Sequence, residues 1–411
     1  DDSLAQNSMY LLGDAYLKTD NKVNARNAFL FCAQNSSVAI QKEVSQFNYA
    51  KLSYELGYQD IAINEFKSFI TQYPKSSYNK EAKELLVQLL ANTNQYADAL
   101  ALINSLDKNS VTVQKILPRI LYGRTVEYIN DQQLSAAETL LNQLQQLPYT
   151  DYYQPFIAFW KAELSFRNNN IDSAIYFINI YRKGNNNLGE ANTINAAYIL
   201  GHAQLIKENY KAAQQAFTEI SSTTFSSTQS NVQQDAYVRL ADCYFIQKQY
   251  NKALTMYEQV YNAGATHADY ALYQKAIIAG AGSRTNEKIT LLQRLSRQFT
   301  QSNYIDLANI EIANTYMYAE QYDKAIPTLQ YLQTNAKNKS LLPEAMFKLG
   351  ICQFNLDRNQ EALSTFENVL QKYPNSNEAD AALDYVKNIF IQEQKAGEYA
   401  AFAQRFGKAV A

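Results

Sequence analysis

The sequence predicts an all-α protein, a solenoid of about ten helical hairpins followed by a capping hairpin, and three observations predict it. Gly (12) and Pro (7) are scarce for 411 residues, whereas all-β and α/β chains need many of both for tight turns with a positive or preset φ. Hydrophobic residues make up 47%, enough for an extended core. Above all, a small residue followed four positions later by a large apolar one recurs along the chain on a steady beat, the mark of a repeat architecture.

The pairs are Ala25/Phe29, Ala62/Phe66, Ala99/Ile103, Ala137/Leu141, Ala174/Ile178, Ala213/Phe217, Ala253/Tyr257, Ala325/Leu329 and Ala362/Phe366, with Lys288/Leu292 as a degraded copy. Successive steps are 37, 37, 38, 37, 39, 40, 35, 37 and 37 residues. Ahead of each pair lies a matching first segment, clearest at Leu12-Gly13-x2-Tyr16, Leu200-Gly201, Leu240-Ala241-x2-Tyr244, Ile312-Ala313-x2-Tyr316 and Leu349-Gly350. Polar turns, often ending in an aromatic, join the segments: Asn94-Gln95-Tyr96, Glu208-Asn209-Tyr210, Lys248-Gln249-Tyr250 and Glu320-Gln321-Tyr322. Small residues on one helix permit close approach, and the large residue one turn from the alanine fills the remaining gap. A single hairpin cannot bury its apolar face alone, so stacked copies share one core.

This pattern resembles the tetratricopeptide repeat, with its aromatic, Leu-Gly, Tyr, then Ala, Phe and closing Pro. Pro74 and Pro374 stand at the closing position, eight residues after Phe66 and Phe366. The resemblance implies a right-handed superhelix over residues 1–376, with capping helices over 377–411. The turns Tyr73-Pro74-Lys75-Ser76 and Tyr373-Pro374-Asn375-Ser376 are similar to those of periplasmic and outer-membrane-associated bacterial tetratricopeptide proteins. That likeness implies a periplasmic or outer-membrane-associated home and leaves a cytoplasmic one open. The first hairpin, Met9 to Cys32, is of full consensus quality, so further repeats are expected ahead of it in the native protein.

No linker divides the chain. A bend is expected near 148–155, where Pro148 and Pro155 bracket a tyrosine-rich stretch, and an exposed loop at Ser221–Ser230. The repeat at 268–300 is irregular: Ala279-Gly280-Ala281-Gly282 ends its first helix and Lys288 replaces the alanine. Two glycines there weaken a helix by about 1 kcal/mol each. Pro327 falls early in a second helix and is expected within its first turn.

Composition and motifs narrow the function. A net charge of −2 and scattered Lys and Arg offer no basic face for nucleic acid, and no apolar run of about 18 residues could span a bilayer. Cys32, Cys243 and Cys352 have no CxxC spacing. His202 and His267 are the only histidines and lack a second ligand at metal spacing. Cys243 and Cys352 follow the small first-helix residue by two positions and read as buried hydrophobes. Gly280-x-Gly282 lacks the third glycine of a dinucleotide site. Neither catalysis, a cofactor nor a metal is expected.

What remains is the inner groove. Carried over position by position, the resemblance places there Tyr10, Phe47, Tyr122, Phe159, Tyr198, Tyr273 and Phe347, and one turn later Tyr54, Phe166, Phe245, Met317 and Phe354. Such aromatics either contact a ligand, as binding hot spots do, or pack between adjacent first helices. The family's Lys and Asn clamp for a terminal carboxylate is absent as a set. The expected function is a non-catalytic protein- or peptide-binding scaffold in a bacterial cell-envelope assembly. An α/α-toroid carbohydrate-active enzyme is disfavoured by a single Trp, Trp160, and by the unbroken beat. A purely architectural spacer arm is the other alternative.

Overall fold

The computed structural model describes residues 2–107, 109–184, 186–221, 224–264 and 266–407. Among them the regular structure is helical, apart from one isolated bridge between Leu188 and Ala191. Two compact units are present, 1–199 and 200–411, and their boundary falls inside a helix.

The first unit holds five hairpins: α1 (Asp2–Lys18) with α2 (Lys22–Asn35), α3 (Ala39–Glu55) with α4 (Gln59–Gln72), α5 (Asn79–Asn92) with α6 (Tyr96–Ile103), α7 (Val111–Asn130) with α8 (Leu134–Gln145), and α9 (Gln154–Arg167) with α10 (Ile171–Tyr181). Helix α11 (Thr193–Ile206) carries the boundary and precedes α12 (Tyr210–Ile220). Four more hairpins complete the second unit's repeats: α13 (Asn231–Ile246) with α14 (Tyr250–Asn262), α15 (Ala268–Ala281) with α16 (Thr285–Gln298), α17 (Ile305–Tyr318) with α18 (Tyr322–Asn335), and α19 (Leu342–Asn355) with α20 (Asn359–Lys372). The cap is α21 (Asn377–Gln392) and the short α22 (Tyr399–Arg405). Within the first unit, and from α12 onward in the second, each helix packs on the next in chain order.

The beat in the sequence is an interlock in space. All nine alanines that open the pairs have no exposed surface. On the first helices, Gly13, Ala50, Val87, Thr125, Ala162, Gly201, Ala241, Ala276, Ala313 and Gly350 stand twelve residues before the Ala/Lys position and are all buried. A β-carbon on Gly350 would lie 2.4 Å from the Phe366 ring, and one on Gly201 2.5 Å from Phe217, against 3.2 Å between Gly13 and Phe29. The second-helix ring therefore lies in the space that a side chain would need.

Each hairpin turn uses one device. The residue seven positions after that first-helix position is left-handed in all ten hairpins, Asp20, Gly57, Asn94, Gln132, Asn169, Glu208, Lys248, Ser283, Glu320 and Asp357, and Gln394 does the same in the cap, with φ between 55° and 83°. The next N–H donates back five residues, as from Gln249 to the Tyr244 carbonyl and from Gln321 to Tyr316, each at 2.8 Å. This is the Schellman closure, which satisfies a first-helix carbonyl and reverses the chain. Only Gly57 among the eleven avoids the steric cost of that conformation.

The irregular hairpin is held differently from expectation. Helix α15 runs through Gly280 to Ala281, and Gly280 makes room for the stem of Lys288, whose Cδ lies 2.8 Å from where a β-carbon would stand. The two positions that meet here carry a large residue on the first helix and alanine on the second in most other hairpins, as in Tyr54/Ala62, Phe245/Ala253 and Phe354/Ala362. Volume has been exchanged across the pair, so the glycine serves packing rather than only loosening the helix. The Lys288 ammonium continues to Glu311 at 2.6 Å. Lys275, in the Leu position of the Leu-Gly pair, is also buried; it pairs with Glu258 and lies 4.8 Å from the Tyr261 ring centre.

Pro327 departs from expectation: it is the sixth residue of α18, beyond the first turn. The helix persists because Ala325, Ile326, Leu329 and Leu332 are buried around it. Near 148–155 the chain makes a short 3-10 turn, Asp151–Tyr153, after Tyr149 at φ 61°. In the Ser221–Ser230 stretch, Ser222 and Thr223 lie outside the described residues; Phe225 packs edge-on against Tyr237.

Two outcomes are expected. Gly350→Ala destabilises by about 1–3 kcal/mol through overpacking, clearly more than Gly13→Ala, in urea titrations of the two variants. Lys248→Gly stabilises by about 1 kcal/mol because it removes the left-handed penalty, whereas Gly57→Ala destabilises by a similar amount; melting curves with the opposite order contradict this account of the turn.

Candidate binding surface

The aromatic candidates fall at two registers of the first helices, three residues before and four after the small residue. None is exposed. Phe47, Tyr122 and Phe159 are buried, and Tyr10, Tyr54, Phe166, Tyr198, Phe245, Tyr273, Phe347 and Phe354 are half-buried, as is Met317. Their partners are neighbouring helices. Phe47 stacks on Tyr78, ring centres 4.7 Å apart, and Tyr273 on Tyr304 at 5.6 Å. Tyr10 meets Phe29 edge-on and Phe245 lies beside Tyr250. Tyr54 packs into the core around α4 and α5.

Some candidates are drawn together. Trp160 Nε1 donates to the Tyr122 hydroxyl at 3.1 Å, and Phe159 meets both Trp160 and Tyr181 edge-on. Phe347 and Phe354 converge on Tyr385 of α21. Burial pushes the Tyr122 and Tyr273 phenols up to about 12. Because Phe159 is almost fully buried, replacing it tests the core and not a surface.

Sequence reasoning missed a charged network on α13. Asp235, Arg239 and Asp242 stand at i, i+4 and i+7, hence on one face of the helix. Arg239 Nη1 donates to Asp242 Oδ2 at 2.6 Å, and its Nε and Nη2 donate to Asp235 Oδ1 at 3.3 and 3.2 Å. Tyr257 of α14 and Tyr270 of α15 both donate to Asp242 Oδ1, at 2.5 and 2.8 Å. His202 Nε2 lies 3.2 Å from Asp235 Oδ2, and His267 Nε2 3.9 Å from Oδ1. Both histidines of the chain thus meet one carboxylate. The signal was the i, i+4, i+7 spacing, with Asp242 one residue past the small Ala241 just as His202 is one past Gly201.

Burial raises the Asp242 carboxyl above its ordinary range, against the pull of Arg239 and the two tyrosine hydroxyls. Burial lowers Arg239, but the charges of Asp242 and Asp235 outweigh it and hold the guanidinium above its usual value. Tyr257 and Tyr270 are raised by burial and then by the Asp242 charge. A guanidinium, two carboxylates and two phenols that satisfy one another form a clasp across α13, α14 and α15.

Nucleophilic chemistry finds no support in the thiols. Burial pushes Cys243 up to about 12 and Cys352 up to about 11, and Cys32 upward also, so the thiolate is disfavoured. Among the described residues, no three His, Cys, Asp or Glu side chains are grouped to hold a metal ion, and no helix is long and apolar enough to cross a membrane.

Comparisons with known proteins agree with this architecture. Residues 234–263, covering most of α13 and α14, and residues 344–376, covering most of α19 and all of α20, match tetratricopeptide-repeat models. The chain therefore carries tetratricopeptide repeats. No curated protein sequence matches it. It is similar to the solved structure of yeast Tom70, at 11% identity over 100% of each chain with a TM-score of 0.39. It is also similar to the P58(IPK) TPR domain, at 13% identity over 95% of this chain and 99% of that one, TM-score 0.33. A tetratricopeptide repeat protein from Parabacteroides merdae matches at 13% identity over 67% of this chain and 99% of its own, TM-score 0.34.

Asp242→Ala removes the acceptor of two phenols and half the compensation of Arg239, so it costs about 3–5 kcal/mol. Asp242→Asn keeps one acceptor oxygen and costs less. Equal urea midpoints for the two variants contradict the clasp.

Proposed function

We propose that the chain is a non-catalytic scaffold that binds a protein or peptide on its first-helix face, within a bacterial cell-envelope assembly. The observation that carries this reading is the regular interlock of the hairpins. Large second-helix side chains lock each first helix at a fixed register, so side chains on the opposite face recur at constant positions from hairpin to hairpin. Such a fixed array suits recognition of an extended or helical partner. The tetratricopeptide matches support binding, and the buried thiols fit a protein that does no covalent chemistry. The Tyr-Pro-x-Ser turns support the envelope and a periplasmic or outer-membrane-associated location.

The half-buried candidates Phe166 and Tyr198 test the face without opening the core. A photo-crosslinking amino acid at either position is expected to capture a discrete partner from native envelope. The same group at Tyr176, exposed on α10, is expected to capture none. Equal capture at the three positions, or none at any with the protein monomeric in light scattering, favours a spacer arm instead.

A further inference from the structure

The residue just before the small one, the Leu position of the Leu-Gly pair, is Leu or Ile in six of the ten hairpins. Three hairpins carry a cation there instead: Arg124, Lys161 and Lys275. Two of these are answered by a carboxylate, Arg124 by Glu127 at 2.7 Å and Lys275 by Glu258. Lys161 is not. Its half-buried side chain donates to the amide oxygen of Gln145, and its Nζ lies 5.7 Å from the Phe177 ring centre. Among the described residues no carboxylate pairs with it. Burial draws the Lys161 ammonium below the ordinary lysine range, and Glu138 opposes this through its charge alone.

The register shows which group is missing. Glu258 stands five residues after the alanine of its pair, Ala253, on the second helix that precedes α15. The matching residue on α8, which precedes α9, is five after Ala137 and is Asn142. A position that supplies the counter-charge at one joint thus supplies an exposed, uncharged amide at the other. A cation taken partly out of water is stabilised when an anion answers it and costs free energy when none does.

Space is present beside that cation. A pocket of about 380 Å³ opens among α8, α9 and α10, at the end of the hairpin remote from its turn. Ile157, Ala158, Phe177 and Ile180 are among its walls. Among the described residues its charged lining is Lys161 and Lys183, both positive. The volume falls in the range of small-ligand sites, which combine mostly apolar walls with a few polar groups that fix orientation. None of the aromatic candidates lines it, so the site is separate from the rows of the first-helix face.

We propose that this pocket binds a small aliphatic carboxylate, with its head on Lys161, in the role that Glu258 plays beside Lys275, and its chain against Ile157, Phe177 and Ile180. The head gains a charge-assisted hydrogen bond, and the chain leaves water for apolar walls. A ligand cation would meet two positive charges, and a neutral polyol would leave both the ammonium and the apolar walls unanswered.

The test uses the whole chain and three probes of equal chain length in isothermal titration calorimetry: sodium octanoate, 1-octanol and octylammonium chloride. Octanoate is expected to bind at least tenfold tighter than 1-octanol, and octylammonium not to bind. Lys161→Leu installs the commonest residue of this register and is expected to abolish the preference for octanoate. Asn142→Glu supplies the missing carboxylate from the chain itself, at an exposed position. It is expected to weaken octanoate at least tenfold and leave 1-octanol unchanged. Lys275→Leu, at the same register of the second unit, is expected to leave octanoate binding unchanged. Circular dichroism verifies folding of each variant. No binding of octanoate, equal affinity of the unaltered chain for octanoate and 1-octanol, or octanoate binding indifferent to Lys161→Leu overturns the site. Octanoate binding unchanged in Asn142→Glu overturns the role assigned to the ligand's head.

Discussion

The fold depends on one contact repeated: a first-helix residue that is Gly or Ala in eight of ten hairpins, and a large apolar side chain from the second helix filling the space above it. At Gly350 and Gly201 the rings of Phe366 and Phe217 occupy the space that a β-carbon would need. That contact fixes the distance and rotation between the two helices of a hairpin. It thereby sets which face of each first helix looks outward. The left-handed turn residue follows from the same constraint, because a chain that must reverse within three residues has few closures available. Ten of eleven turns accept the strain of a non-glycine residue there, which explains how a helical-hairpin chain can be so poor in glycine.

The hairpin at 268–300 shows that the constraint is one of volume and not of residue identity. Gly280 and Lys288 exchange the large and small roles, and the helix that glycine weakens is held by a packed lysine stem with its ammonium on Glu311. The neighbouring joint relies on Arg239, Asp242, Tyr257 and Tyr270 where other joints rely on apolar rings. Buried ionic groups fix geometry only when every member is satisfied, and the three donors gathered on Asp242 meet that condition. The same exchange that keeps this hairpin packed leaves the outer side of α15 without a large side chain, so core and surface irregularity share one cause.

The aromatic rows illustrate where legibility stopped. Their register was readable because a 37-residue beat places every residue relative to the small position. Their surroundings were not: whether Phe47 looks outward or stacks on Tyr78 depends on the approach of the next hairpin. Phe159 is buried by Trp160 and Tyr181, from its own and the following helix, and nothing in its local sequence separates it from the half-buried Phe166. The charged network was half legible. The i, i+4, i+7 spacing of Asp235, Arg239 and Asp242 was open to view, but the phenols and imidazoles that complete it come from three other helices.

The sequence by itself determined the helical hairpins, their number, the interlocking pairs and the existence of a cap, because each is local or strictly periodic and follows from volume and helix geometry. Only the tertiary structure decided which aromatics became core, what a glycine and a lysine in the wrong places were doing, and where charge would be buried. Those outcomes depend on side chains from different hairpins meeting in space. The opening prediction of a hairpin solenoid therefore stands on the beat alone, whereas the character of its first-helix face had to come from the packing.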